Sequence, residues 1–280
     1  VALSDLCETR LLRQETTAGA GAQILLLVLL DTVAGLGLAG WLTGLAFTVG
    51  TWALLTRALH RSWPPRPFGP ANAVTLARTT LVGGVTALVA DSFTGPVPVG
   101  TLVALTAVAL SLDAVDGQVA RRTGTASPLG ARFDMEADAF LILVLSLYDA
   151  MALGGWVLLI GAMRYGFVAA ARVMPWLNGP LPPSMARKTV AALQGVALLA
   201  AGSGLLPYAV AFGTVLGALA LLVWSFGRDI GTLWRFRVRD DDVPAGDNGG
   251  GVTERGTAAR GRARRGAGAV VVRGTAAESV

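Results

Sequence analysis

The sequence predicts an all-α integral membrane protein of about eight spans. Three observations carry that expectation. Apolar side chains make up 53% of the 280 residues and charged ones 15%, with mean hydropathy +0.59; soluble domains carry about 25% charge. Apolar stretches of span length alternate with Gly- and Pro-rich breaks along most of the chain. Basic residues also fall on one side when those stretches cross a bilayer in turn.

The elements follow in order. Residues 1–20 hold Asp5, Glu8, Arg10, Arg13 and Glu15. They read as a cytoplasmic segment rather than the short basic start of a cleavable signal. Residues 21–60 form an accessory transmembrane hairpin, with helices at 21–38 and 41–59 meeting near Gly35, Gly37 and Gly40. Pro64, Pro65, Pro67 and Pro70 then break the chain, since proline cannot sit inside a helix. Six further spans are expected at 72–90, 98–123, 128–152, 154–174, 186–204 and 207–227, within one domain at 70–228. Turn residues separate them: Gly95 to Pro98, Gly154-Gly155, Gly179 to Pro183, and Gly202 to Pro207. Residues 237–280 lack apolar periodicity and are expected to be a disordered cytoplasmic tail.

With the N-terminus inside, the inner loops and span ends hold Arg57, Arg61, Arg66, Arg121, Arg122, Arg132, Arg172, Arg187, Lys188 and the basic residues from Arg228 onward. The outer ones hold Asp91 and Asp149 and no basic residue. The expectation is therefore a multi-pass protein of the plasma (inner) membrane with both termini cytoplasmic. Trp63, Phe68, Trp176 and Trp234 border the basic loops, where interfacial aromatics belong.

Composition also excludes chemistry. Cys7 and His60 are the only cysteine and histidine, so an internal disulfide, a Cys-rich zinc site and a His-His metal motif are excluded. Arg260, Arg262, Arg264 and Arg265 lie close together, but no folded basic module accompanies them, so nucleic acid is not an expected partner.

Four carboxylates lie where a membrane helix should not carry them. Asp113 and Asp116 are three apart at the end of one span, and Asp134 and Asp138 are four apart at the start of the next. Such spacings put each pair on one helix face. Four anions in low dielectric repel and are costly to desolvate. Divalent cations are the simplest compensation, and all-oxygen ligation suits Mg²⁺ or Mn²⁺. Two such ions can clamp a phosphate. Gly117 and Ala120 leave room beside the first pair, and Arg121 adds a planar cation for phosphate oxygens. Ser127-Pro128 reads as an N-cap and first helical residue, with Gly130 keeping that turn slim.

Written out, the run is Asp113, two residues, Asp116-Gly117, two residues, Ala120-Arg121, eight residues, Gly130, three residues, Asp134, three residues, Asp138. This resembles the signature of the CDP-alcohol phosphatidyltransferases, in a class I bacterial membrane form. Pro70, Asn72, Thr75 and Arg78 resemble the family's upstream segment, which helps hold the donor nucleotide. The resemblance implies transfer of a phosphatidyl group from CDP-diacylglycerol, or a related CDP-alcohol, to an alcohol with release of CMP. It implies that Asp113, Asp116, Asp134 and Asp138 bind two Mg²⁺ or Mn²⁺ ions, with Asp138 also the base. Gly117, Ala120, Arg121, Ser127, Gly130, Asn72 and Thr75 would surround the CDP donor. Homodimers are common in the family.

Arg164 lies inside the 154–174 span, where an arginine usually faces an anion or a cavity. With Arg172, Arg187 and Lys188 it is a candidate pocket for an acidic acceptor, such as glycerol 3-phosphate or an inositol phosphate. The alternative for Arg164 is an ion pair with Asp134 or Asp138, or snorkelling to the interface. A rival for the whole chain is a cation transporter with the carboxylates as its ion path. That reading needs acids near the midplane, often in a repeated fold; here they lie at span ends, with no second copy.

Overall fold

The computed structural model describes residues 2–61, 70–123, 128–178 and 185–241. The chain divides into two compact units, Val1–Arg237 and Val238–Val280, and the first holds every element below except residues 238–241 of the last helix, Tyr208–Asp241. Among the described residues there is no strand, and there are eight α-helices: α1 (Ala2–Ala34), α2 (Leu38–Arg61), α3 (Pro70–Asp91), α4 (Val99–Thr123), α5 (Pro128–Leu153), α6 (Leu158–Val173), α7 (Met185–Gly202) and α8 (Tyr208–Asp241). Short 3₁₀ turns at Gly155–Val157 and Pro175–Asn178 flank α6. The tail expected to be disordered from 237 is instead helical as far as Asp241, the end of α8; from residue 242 on it lies outside the described residues.

The breaks fall where Gly and Pro put them. Gly35 (φ 67°) ends α1, Gly154 (φ 104°) ends α5, and Gly204 (φ 69°) separates α7 from α8; only glycine takes such angles freely. Two helices exceed the sequence expectation. α1 begins at Ala2 rather than near residue 21, because Leu, Arg, Gln, Glu and Ala at its start form helix well whatever their polarity. α8 continues past residue 227 because its last turns find apolar partners. Leu233 is buried with Ala171 and Leu177, and Trp234 meets Trp176 edge-on at 5.5 Å.

Among the described residues, four stretches are long and apolar enough to cross a membrane: Thr17–Ala34, Val74–Asp91, Gly155–Val173 and Tyr208–Arg235. Leu38–Leu54 and Val99–Asp113 are shorter apolar helices. The expected count of about eight spans is thus not reached by length and composition alone. α5 starts with Arg132, Asp134, Glu136 and Asp138, and α7 with Arg187-Lys188, and these charges lower the hydropathy of both. Large apolar side chains nevertheless face outward, among them Leu25 (70% exposed), Val49 (64%) and Trp224 (56%). Such surfaces are rarely left to water, and lipid is their natural solvent.

α3 is the inner helix. Its span is 67% buried, against 22% for each of the other three. It packs on α1, α2, α4 and α5, while α5 also packs on α6 and α7. Small residues permit the close crossings. A Cβ on Gly83 of α3 would lie 2.5 Å from the Gln23 amide of α1, and one on Gly161 of α6 would lie 2.5 Å from Leu143 Cα of α5. Asp149, expected at an outward-facing span end, is 3% exposed within α5.

One long-range cap ties the N-terminal hairpin to α3. Asp91 accepts hydrogen bonds from the backbone N–H groups of Gly37 (2.9 Å) and Gly40 (3.4 Å), the unsatisfied donors at the start of α2. Losing such a cap costs about 1 kcal/mol. Asp91→Ala is therefore expected to lower the thermal midpoint in detergent by about 2–4 °C. An unchanged midpoint would contradict the cap.

Candidate active site

Three helices converge at one point. Asp113 lies near the end of α4, after the apolar stretch Val99–Asp113, and Asp134 and Asp138 lie one turn apart near the start of α5. α4 and α5 both pack on α3, and these two helix ends bring their acids together. One carboxylate oxygen from each of the three acids falls within 4.8 Å of the others.

At the centre of the acids is Arg78 of α3, 1% exposed. Its Nη1 lies 2.5 Å from Asp113 Oδ1. Its Nη2 lies 2.6 Å from Asp134 Oδ1 and 2.9 Å from Asp138 Oδ1, and donates to the Asp134 backbone carbonyl at 3.1 Å. The carboxylates themselves are 42%, 33% and 43% exposed. The buried cation thus sits behind anions that remain open to the outside. Arg78 was expected to help hold the donor nucleotide; its contacts are with the acids.

The donor set fits a divalent ion. Three carboxylates face one guanidinium, leaving an excess of two negative charges. Oxygen ligands of this kind suit Mg²⁺ or Mn²⁺. Asp113, Asp134 and Asp138 are the described residues able to hold one. The side chains of Asp116 and Arg121, and the surroundings of Gly117, Ala120 and Gly130, lie outside the described residues, as do Ser127 and the side chain of Asn72. Thr75 is described and is 6% exposed, one turn before Arg78 on α3.

The basic residues have separate settings. Arg164 of α6 pairs with Glu136 at 2.7 Å, not with Asp134 or Asp138. Glu136 is an acid the sequence reading passed over. It stands between Asp134 and Asp138, yet two residues along a helix turn a side chain onto another face. Arg187 of α7 lies 3.7 Å from Asp229 of α8, and Arg172 and Lys188 are exposed.

A family model, CDP-alcohol phosphatidyltransferase, matches residues 68–226, more than half of the chain. The chain belongs to the CDP-alcohol phosphatidyltransferase family. The match takes in α3 to α7 and most of α8, and with them every acid of the site; the hairpin α1–α2 stands outside it. As a CDP-alcohol phosphatidyltransferase the chain is a membrane transferase of lipid synthesis, of a type that uses a CDP-alcohol and an alcohol acceptor and generally depends on a divalent metal. No curated protein and no solved structure matches it.

Proposed function

We propose that this phosphatidyltransferase moves a phosphatidyl group from CDP-diacylglycerol to a small phosphorylated alcohol, of the glycerol 3-phosphate or inositol phosphate type, and releases CMP. The observation that supports this most is the convergence of Asp113, Asp134 and Asp138 around one point inside the family match.

Asp113, Asp116, Asp134 and Asp138 would hold two Mg²⁺ or Mn²⁺ ions. Bound there, such ions supply neutralisation of the diphosphate oxygens and a lower pKa for the acceptor hydroxyl. Asp138, with its carboxylate 43% exposed, accepts the proton of that hydroxyl. The acceptor oxygen then bonds to the phosphatidyl phosphorus. The bond from that phosphorus to the CMP phosphate oxygen breaks, and CMP leaves with the electron pair. Gly117, Ala120, Arg121, Ser127, Gly130, Asn72 and Thr75 surround the CDP part of the donor. The site lies at the cytoplasmic face, where the donor keeps its acyl chains in lipid and its head in water.

The acceptor preference rests on Arg164, with Arg172, Arg187 and Lys188 as further cations. Arg164 is 28% exposed and holds Glu136, a partner that an acidic group of the acceptor would replace. Arg164→Ala is expected to raise the acceptor KM about tenfold or more, the worth of one charge-assisted hydrogen bond, with the donor KM changed little. Equal acceptor KM values in variant and parent would remove Arg164 from the pocket.

The test of the reading is a CMP-release assay with CDP-diacylglycerol, Mg²⁺ or Mn²⁺, and a panel of alcohols. Release that requires one phosphorylated acceptor supports it. Release with an uncharged alcohol alone would overturn the acceptor class, and no release with any alcohol would overturn the reaction.

A further inference from the structure

Reading the acids as metal ligands leaves Arg78 without a part, because a side chain only 1% exposed is closed off from substrate. We propose that Arg78 is a positioning residue, a clamp behind the metal ligands that turns three carboxylates from two helices toward a divalent ion on their exposed side. This inference rests on the proposed metal-binding role of the acids.

The geometry assigns the two arms of the guanidinium to different helices. Nη1 holds Asp113 on α4, and Nη2 holds Asp134 and Asp138 on α5 together with the Asp134 carbonyl. All three ion pairs engage Oδ1. Nε has no hydrogen-bond partner among the described residues, so the grip belongs to the two terminal nitrogens. The acids lie 21 to 25 residues apart in sequence between the two helices and repel one another at these distances. Arg78 sits on α3, the most buried span, which packs on both α4 and α5. α3 also packs on α1 and α2, so the position of Arg78 does not rest on the acids alone. A lysine would retain the charge but not the fork, since one ammonium cannot span both helices with the same geometry.

The opposing account is that Arg78 merely competes for the acids. Its charge would then repel an incoming cation, and removing it would tighten metal binding. The clamp demands the reverse, because groups that orient metal ligands typically contribute about 10–100-fold to metal affinity.

The experiment measures Mn²⁺ binding by calorimetry, and the thermal midpoint in EDTA, for the full chain in detergent as wild type, Arg78→Gln and Arg78→Lys. The clamp predicts that both variants bind Mn²⁺ about 10–100-fold more weakly and melt earlier in EDTA. Arg78→Lys keeps the buried charge and so serves if Arg78→Gln does not fold. Wild-type or tighter Mn²⁺ affinity in either folded variant overturns the clamp, even if the midpoint falls, since that pattern belongs to a purely structural residue or a competitor. Absence of Mn²⁺ binding in the wild type would instead overturn the metal-site reading beneath it.

Discussion

Asp138→Asn is expected to cut CMP release by about 10³-fold or more while the protein stays folded. Asparagine matches aspartate in shape but cannot accept the acceptor's proton, and a positioned base alone contributes about 10²–10⁴-fold. It is also a poorer ligand for a hard cation, so the loss should lie toward the upper end. Stability should move the other way or not at all. The substitution takes one negative charge from a group in which three carboxylates share one guanidinium. Initial rates with saturating CDP-diacylglycerol, together with the thermal midpoint of the same preparation, check both halves. A folded variant with activity within tenfold of the parent would remove Asp138 from the role of base.

The second large effect is structural and lies on the opposite side of α5. Gly161→Val would bring its Cβ to 2.5 Å from Leu143 Cα, a backbone atom with no rotamer to yield. Overpacking of this kind costs about 1–3 kcal/mol, and more where backbone must shift. The strain falls on the α5–α6 crossing, and α5 carries Asp134 and Asp138 while α6 carries Arg164. The expected result is a much lower yield of monodisperse protein in detergent, with reduced turnover per folded molecule. A variant as stable and active as the parent would show that the two helices separate without penalty. Gly166, also on α6 but with nothing within 4 Å of its added Cβ, is the matched control.

These two residues also show what a sequence gives up and what it keeps. The pairing of Asp134 with Asp138 was legible because a spacing of four fixes a helix face from local geometry alone; the side chain of Asp116, three residues from Asp113, lies outside the described residues. The first hairpin helix stops at Ala34, before Gly35, and not at 38 as its apolar run suggests, whereas the end of α5 at Gly154 was legible because a glycine pair interrupts the apolar run there. The polar first half of α1 was not, because apolarity reports a span and not a helix. Arg78 was seen only as part of a short upstream pattern. Its true partners are 35 to 60 residues away, and nothing in local spacing says which face of α3 meets α4 and α5. The Asp91 cap on α2 was hidden for the same reason, lying 51 and 54 residues from its donors. The Glu136–Arg164 pair was hidden likewise, its members lying 28 residues apart on α5 and α6.

The most direct test of the central claim is metal removal and return. Purified protein given CDP-diacylglycerol and its preferred acceptor is stripped with EDTA, then titrated with Mn²⁺. The account predicts that CMP release disappears on chelation and returns with Mn²⁺, and that Asp113→Asn shifts the titration to higher Mn²⁺. CMP release that persists undiminished in EDTA, or a titration that Asp113→Asn leaves unmoved, would contradict it.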